Sequence, residues 1–278
     1  MIDSHQHFWT VERTDYGWLT PSAGSIYRDF MPDDLRTAMQ RAGITRTILV
    51  QAAETEDETE FLLEIAARTD FVAGVVGWLN MDSDDFADRF NHFRRDPLFV
   101  GVRPMLQSLD DDAFILRPRV LKSLKVLAAA DFPFDILTFT RHLPYVVRAL
   151  EETPGLRAVV DHISKPEIAA GTLDPWRAHI ADVAAFRNVS IKISGMVTEA
   201  ASDWGLSDFK PYVDHVASLF GEDRLMFGTD WPVCTLAATH AEVCNLSRTL
   251  LAPHFGPSAM AKIFETNAAN FYGVGEQP

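Results

Sequence analysis

Ile2-Asp3-Ser4-His5-Gln6-His7-Phe8-Trp9 opens the chain. It reads as a short strand from Ile2 to His7, and because alternate residues of a strand point to one face, His5 and His7 converge on one point. Two neutral imidazoles at that spacing are half of a zinc site that needs a carboxylate or another histidine from elsewhere in the fold. The same pair also suits surface residues on an edge strand or turn, so a second, distant signal matters. The residues after His7 bear on the fold itself. A doubly wound open sheet normally carries a glycine-rich nucleotide turn after its first strand, and this chain continues with Phe8-Trp9-Thr10 instead.

Outward from that stretch, seven further short runs rich in Val, Ile, Leu or Phe read as strands: Thr47 to Gln51, Phe71 to Trp78, Phe99 to Arg103, Pro133 to Thr138, Ala158 to His162, Ser190 to Ser194 and Leu225 to Asp230. Between them lie amphipathic helical patterns at Asp33 to Ala42, Glu56 to Arg68, Ser83 to Arg94, Ala113 to Ala130, Leu143 to Glu152, Pro175 to Phe186, Ser207 to Phe220, Thr239 to Leu251 and Pro257 to Asn270. Strands alternating with helices imply parallel crossovers, and eight such units predict an α/β fold, a single-domain (β/α)8 TIM barrel over residues 1–278. The long irregular segment Trp9 to Met31 is expected to lie over the mouth of that barrel, and the tail Gly273 to Pro278 to be mobile and without a signal.

In such a barrel the residues ending each strand gather at one mouth, where the chemistry sits. Here they are His5 and His7, Gln51, Trp78, Arg103, Thr138, His162, Ser194 and Asp230. Asp230 ends the apolar run Leu225-Met226-Phe227-Gly228-Thr229-Asp230-Trp231-Pro232, where an acid is costly unless paired, hydrogen-bonded or bound to a cation. Its alternative role is a helix cap. His162 is either a site residue or a satisfied core histidine. Arg103 is either an anchor for carboxylate or hydroxyl oxygens or a partner of Asp135 or Asp161. Lys165 and Lys192 are weaker candidates, Lys192 because it is expected on the face opposite Ser194. Trp9, Trp78 and Trp231 flank the strand ends, where an indole face can pack against a ligand, although tryptophans are commonly structural.

With 39 Asp plus Glu against 25 Lys plus Arg, the formal charge is −14, the wrong sign for a nucleic-acid partner. No stretch approaches the roughly 20 apolar residues that cross a bilayer, and no export signal opens the chain, so the expectation is a cytoplasmic protein without membrane contact. The cysteines, Cys234 and Cys244, have neither metal-knuckle nor disulfide-framework spacing and are expected reduced. Nothing in the sequence indicates an oligomeric state.

Four stretches together carry a family resemblance: Asp3-Ser4-His5-Gln6-His7-Phe8-Trp9, Val160-Asp161-His162-Ile163-Ser164-Lys165-Pro166, Lys192-Ile193-Ser194-Gly195 and Phe227-Gly228-Thr229-Asp230-Trp231-Pro232. Over essentially its whole length the chain resembles the amidohydrolase superfamily, in particular its sugar-lactonase-like branch. The resemblance implies a distorted (β/α)8 barrel with His5 and His7 in the first-strand metal motif, His162 on the sixth strand and Asp230 as general base on the eighth. It implies hydrolysis of a small-molecule sugar-acid lactone of L-fucono or L-rhamnono type, with one divalent ion, zinc by preference, held by His5, His7 and Asp230. Some members of the branch work without metal. Gln51, Arg103, Trp9, Trp78 and Trp231 are then the expected substrate contacts, and Asp230 and His162 the catalytic pair. The chain departs from binuclear members: Arg103 stands where they use a carboxylated lysine or a glutamate, and the fifth strand ends without a histidine, His142 coming too late. Two alternatives stay open. One is a dicarboxylate lactone hydrolase or aldaric lactone isomerase of the same superfamily, with Arg28, Arg141 and Lys165 as helpers; the other is a non-catalytic sugar- or metal-binding barrel.

Overall fold

The computed structural model describes residues 1–275. All eight expected strands are present as β1 (Ile2–Gln6), β2 (Arg46–Val50), β3 (Val72–Gly77), β4 (Phe99–Val102), β5 (Phe134–Ile136), β6 (Ala158–Val160), β7 (Val189–Ile193) and β8 (Leu225–Phe227). They form one sheet in sequence order, every neighbouring pair parallel. The helices between them are α1 (Pro32–Ala42), α2 (Glu56–Ala66), α3 (Phe86–Phe93), α4 (Pro118–Ala129), α5 (Leu143–Glu152), α6 (Trp176–Ala184), α7 (Leu206–Phe220) and α8 (His240–Leu251), followed by α9 (Pro257–Ala261) and α10 (Asn267–Tyr272). This is the (β/α)8 barrel.

Its closure explains why it is distorted. Between β8 and β1 the seam is held largely by side chains: Ser4 Oγ donates to the Phe227 carbonyl at 2.7 Å, and the buried Asp3 carboxylate accepts from the Thr229 backbone at 2.8 Å and the Thr229 hydroxyl at 2.5 Å. Beyond β8 the Asp230 N–H reaches the His5 carbonyl at 2.8 Å, and the His7 N–H reaches the Trp231 carbonyl at 2.7 Å. Gly228 makes this approach possible, since a Cβ there would lie 2.8 Å from that of His5.

Several boundaries differ from expectation for local reasons. The long pattern Ala113 to Ala130 breaks into a short turn (Phe114–Leu116) and α4, because Pro118 starts the helix at its first position and Arg117 before it is extended (ψ 141°). The pattern from Pro257 to Asn270 is interrupted between α9 and α10 by a π-type turn, Lys262–Thr266. The expected strands ending at His162 and Asp230 stop two or three residues earlier, where the chain enters left-handed conformations.

The barrel interior is packed by Ile2, Ile48, Val50, Val76, Val100, Val159 and Met226, and α10 closes one end by adding Phe271 and Tyr272 to that cluster. Burying large aliphatic and aromatic side chains at about 25 cal/mol per Å² is the main stabilising term here. The segment from Trp9 to Met31 is pinched at its neck by reciprocal Trp9–Phe30 backbone hydrogen bonds (3.0 and 2.9 Å) and lies at the mouth as expected. The start of the tail is fixed rather than mobile, because Arg46 Nη1 donates to the carbonyls of Val274 (3.0 Å) and Gly275 (2.6 Å); residues 276–278 of the expected mobile tail lie outside the described residues. No helix among the described residues is long and apolar enough to cross a membrane.

Candidate active site

His5 lies on β1, with His7 just past its end, and both are buried. From β8 the chain turns left-handed at Asp230 (φ 58°), which directs its carboxylate between the histidines: Oδ1 lies 3.3 Å from His7 Nε2 and 3.8 Å from the Nε2 atoms of both His5 and His162. After β6, His162, Ile163, Ser164 and Lys165 have φ of 53°, 47°, 59° and 45°. A β-branched residue such as Ile163 is strained there. The turn is tied down by Trp176 Nε1–H donating to the Ile163 carbonyl (2.7 Å) and by the Thr138–Ser164 hydroxyl pair (2.9 Å). Its consequence is that Asp161 and His162, which a continued strand would send to opposite faces, both enter the site. Gly195 (φ 60°) completes the cradle, because a Cβ there would collide with the His162 ring.

Beneath this constellation lies a buried ionic network. Asp161 is paired with Arg103 Nη1 (3.2 Å) and Lys192 Nζ (3.0 Å); Lys192 also pairs with Asp135 (2.6 Å), which accepts from the Tyr272 hydroxyl (2.7 Å). Of the two partners expected for Arg103, Asp161 is the one it takes. Burial would push the Asp161 carboxyl up, but Lys192, His5 and Arg103 outweigh it and hold it well below 3.8. Burial lowers the His5 and His162 pKa values well below 6.5, so both are neutral imidazoles at pH 7. Burial alone would raise Asp230, but His162, the His7 hydrogen bond and Lys165 keep it below 3.8, an ionised carboxylate.

A cavity of about 430 Å³ opens above, lined by His7, His162, Arg103 and Asp230 on its floor and by Asp15, Trp18, Glu54, Gln107, Lys165 and others around its walls. Trp18, held by Nε1–H to the Ala52 carbonyl (2.7 Å), and Asp15, held by Arg13 (2.5 Å) and the Thr55 hydroxyl (2.8 Å), come from the long first loop. A family profile described as Amidohydrolase matches residues 2–274.

The chain belongs to the amidohydrolase family. It is similar to the L-fucono-1,5-lactonase of Burkholderia ambifaria, 40% identical over 276 residues (98% of this chain, 95% of the relative), and to that of Burkholderia multivorans, 35% identical over 288 residues (99% and 96%). A crystal structure of an amidohydrolase from Burkholderia multivorans with bound zinc superposes with a TM-score of 0.93 at 35% identity, covering 99% of each chain.

In this amidohydrolase the expected site residues separate into two groups. His5, His7, Arg103, His162 and Asp230 come together. Gln51 is adjacent but fully buried, and its backbone and side chain both hold Arg103: its Nε2 donates to the Arg103 carbonyl (2.9 Å), and Arg103 Nη2 donates to the Gln51 carbonyl. The three expected tryptophans do not line the main cavity. Trp9 is fully buried with Nε1–H on the Arg28 carbonyl (2.8 Å), Trp231 packs edge-on against Phe8 and Phe30, and Trp78 borders a neighbouring recess of about 310 Å³. Trp18 occupies the wall instead. Lys192 and Ser194, two residues apart on β7 and just past its end, share the inward face, so the expectation that Lys192 points away is corrected. Arg28 and Arg141 stand outside the cavity, paired with Asp34 and Asp112. The cysteines are free and buried. Asp135 was legible as an acid inside the apolar run Phe134-Asp135-Ile136; the position of Trp18 had no comparable sequence signal.

Two donor sets could hold a cation: His5, His7 and Asp230, and His5, Asp161 and His162. The first fits on an independent ground. His7 Nδ1 lies 2.7 Å from the Val50 carbonyl, which only accepts, so Nδ1 carries a ring proton, and in the neutral ring that leaves the Nε2 lone pair facing Asp230 Oδ1 at 3.3 Å. Two acceptors at that distance call for a proton or a metal cation between them. In the second set the Lys192 ammonium, 3.0 Å from Asp161 and 3.2 Å from His5 Nδ1, already supplies the positive charge.

Proposed function

We propose that this amidohydrolase, acting as a single domain, opens a neutral, polyhydroxylated sugar-acid lactone of L-fucono or L-rhamnono type by water attack. The carrying observation is the ionised Asp230 carboxylate set among three histidines on the floor of a cavity large enough for one sugar ring. The similarity to two L-fucono-1,5-lactonases supports the same reading.

Asp230 takes a proton from water as the oxygen attacks the lactone carbonyl, and returns it to the departing ring oxygen. The charge that develops on the carbonyl oxygen meets two donors. His162, with the Ser194 hydroxyl donating to its Nδ1 (2.9 Å), would carry its proton on Nε2, and Arg103, which borders the cavity, is the second donor. Asp161 and the Gln51 backbone carbonyl, both accepting from Arg103, hold the guanidinium in place. One divalent cation, zinc by the nitrogen and oxygen character of the donors, would be held by His5, His7 and Asp230; when bound it lowers the pKa of a water ligand and polarises the carbonyl. A binding-only barrel has no use for an ionised base beside three histidines.

Charge at the cavity favours a neutral substrate over a dicarboxylate. Asp15, Glu54 and Asp230 face it against Arg103 and Lys165, and Arg103 is already paired with Asp161. Proton release measured on a panel of neutral sugar lactones and dianionic lactones, before and after chelation, tests this. Neutral L-fucono- or L-rhamnono-type lactones should be preferred in kcat/KM by at least about 100-fold, equivalent to ~3 kcal/mol of like-charge penalty. Preference for the dianions would reverse the assignment, and activity surviving verified metal removal would remove the cation from it.

A further inference from the structure

Lys165 and Glu54 border the cavity but have no part in the reaction as described. Neither side chain makes a hydrogen bond among the described residues. The Lys165 ammonium has Glu199 as its acid neighbour at 3.8 Å, beyond hydrogen-bond reach, and the face of Phe139 at 5.5 Å. It is accessible, with 17% of the side chain exposed against none for Lys192. Glu54 is exposed and has no cation within ion-pair distance among the described residues, Lys165 included. Two opposite charges that face one cavity, beside the apolar side chains of Met105, Leu137 and Val233, and leave each other free keep their hydrogen-bonding capacity for a ligand.

The barrel puts the two on opposite walls. Glu54 follows β2 and Lys165 follows β6, four strands apart in a ring of eight. Both are presented by fixed backbone. The loop after β2 is held by the buried Glu58 carboxylate, which accepts from the Ala52 N–H (3.0 Å) and the Ala53 N–H (2.6 Å), and by the Thr55 hydroxyl, which accepts from the Glu58 N–H (3.1 Å). Lys165 ends the left-handed run that starts at His162 and is anchored by Trp176 and Thr138. Strain of that kind persists where the position of a side chain matters, and here it brings His162 and Lys165 to the same cavity. The floor, with Asp230, His162 and Arg103, serves the reacting carbonyl, so the walls meet the rest of the ring. A carboxylate on the substrate would be drawn to Lys165 but repelled by Glu54 and by Glu199 beside the lysine. A hydroxyl both accepts and donates, and so suits an ammonium on one wall and a carboxylate on the other.

We propose that Lys165 and Glu54 are the specificity-determining residues for the ring hydroxyls of the substrate, Lys165 donating to a hydroxyl on one side of the ring and Glu54 accepting from a hydroxyl on the other. The proposal rests on the lactonase reading for the identity of the ring, and on the cavity alone for the recognition of hydroxyls. A ring that lacks hydroxyls keeps the reacting group and loses both contacts, so the two residues discriminate between lactones without touching the bond that breaks.

The test compares steady-state kinetics on L-fucono-1,5-lactone and on δ-valerolactone, which keeps the six-membered lactone ring and lacks the hydroxyls, for wild type, Lys165→Met and Glu54→Ala. Titration calorimetry with L-fucose, a neutral ring with hydroxyls and no lactone carbonyl, accompanies it. Lys165→Met should lower kcat/KM for the fucono-lactone about 30-fold, mostly through KM, and Glu54→Ala about tenfold, the range for losing a hydrogen bond to a charged group. On δ-valerolactone the losses should shrink to about threefold or less, and both variants should weaken L-fucose binding by factors similar to those on the fucono-lactone. Glu54 is exposed, so Glu54→Ala carries the test if Lys165→Met does not fold. Equal losses on the two lactones would place these residues at the reacting group or in the fold and overturn the proposal, as would unchanged kinetics on the fucono-lactone. Should wild type turn over δ-valerolactone too slowly to measure, the L-fucose titration decides, and unchanged affinity in both variants overturns the proposal. A wild type that opens no lactone but binds L-fucose through these residues would reject the lactonase reading and leave the hydroxyl site standing; one that neither opens the lactone nor binds the sugar would overturn both.

Discussion

Asp230→Asn lowers kcat for lactone opening by about 10³-fold or more, with KM changed little, because the amide keeps the shape of the side chain and loses the base. The expectation follows from geometry: Asp230 Oδ1 is an oxygen that three histidine Nε2 atoms face, at 3.3 to 3.8 Å, and the surrounding groups hold the carboxyl below 3.8, so it is ionised throughout the neutral range. Stopped assays with purified variant, accompanied by a melting curve, measure it. The variant should fold, since the backbone hydrogen bonds that close the barrel at Asp230 N–H and the His7 N–H do not involve the carboxylate. Turnover within tenfold of wild type would move the base elsewhere in the cavity.

Arg103→Met lowers kcat/KM by about 10²-fold, the loss expected when one preorganised donor to a developing oxyanion is removed from a dry site. The thioether fills much of the volume of the guanidinium stem, so the cavity floor keeps its form. Asp161 loses one of its two cations but retains Lys192 at 3.0 Å, which limits the destabilisation to about 3 kcal/mol, the low end for breaking a buried pair. Kinetics and thermal melting run on the same preparation separate the two effects. Unchanged kcat/KM with a lowered melting temperature would make Arg103 a structural partner of Asp161 alone.

The barrel was legible because the strands after the first are short runs rich in apolar residues and the helices between them amphipathic, both set by local sequence. The four residues at the centre of the site were legible for a related reason. His162 and Asp230 follow apolar runs, where a polar side chain is either at the mouth or costly, and His5 and His7 alternate at the end of the first strand, so they share one face. What sequence did not resolve are relations between distant strands. That Lys192 on β7 lies between Asp135 on β5 and Asp161 after β6 depends on register across the sheet. That Asp161 and His162 face the same way depends on a left-handed turn which no propensity of Ile163 would suggest. The tryptophans failed as cavity markers for a simpler reason. Trp231 follows the inward-facing Asp230 and so turns to the opposite side, onto Phe8 and Phe30, while the indole that does border the cavity, Trp18, comes from the irregular first loop.

Hydrolysis of L-fucono-1,5-lactone in water enriched in oxygen-18, followed by mass spectrometry of the aldonic acid, tests most directly that water attacks the lactone carbonyl at this site. One heavy oxygen in the carboxylate of the product, at a rate abolished by Asp230→Asn, is the predicted result. Label at the ring hydroxyl, an unlabelled isomeric lactone, or bound but unopened lactone would contradict it.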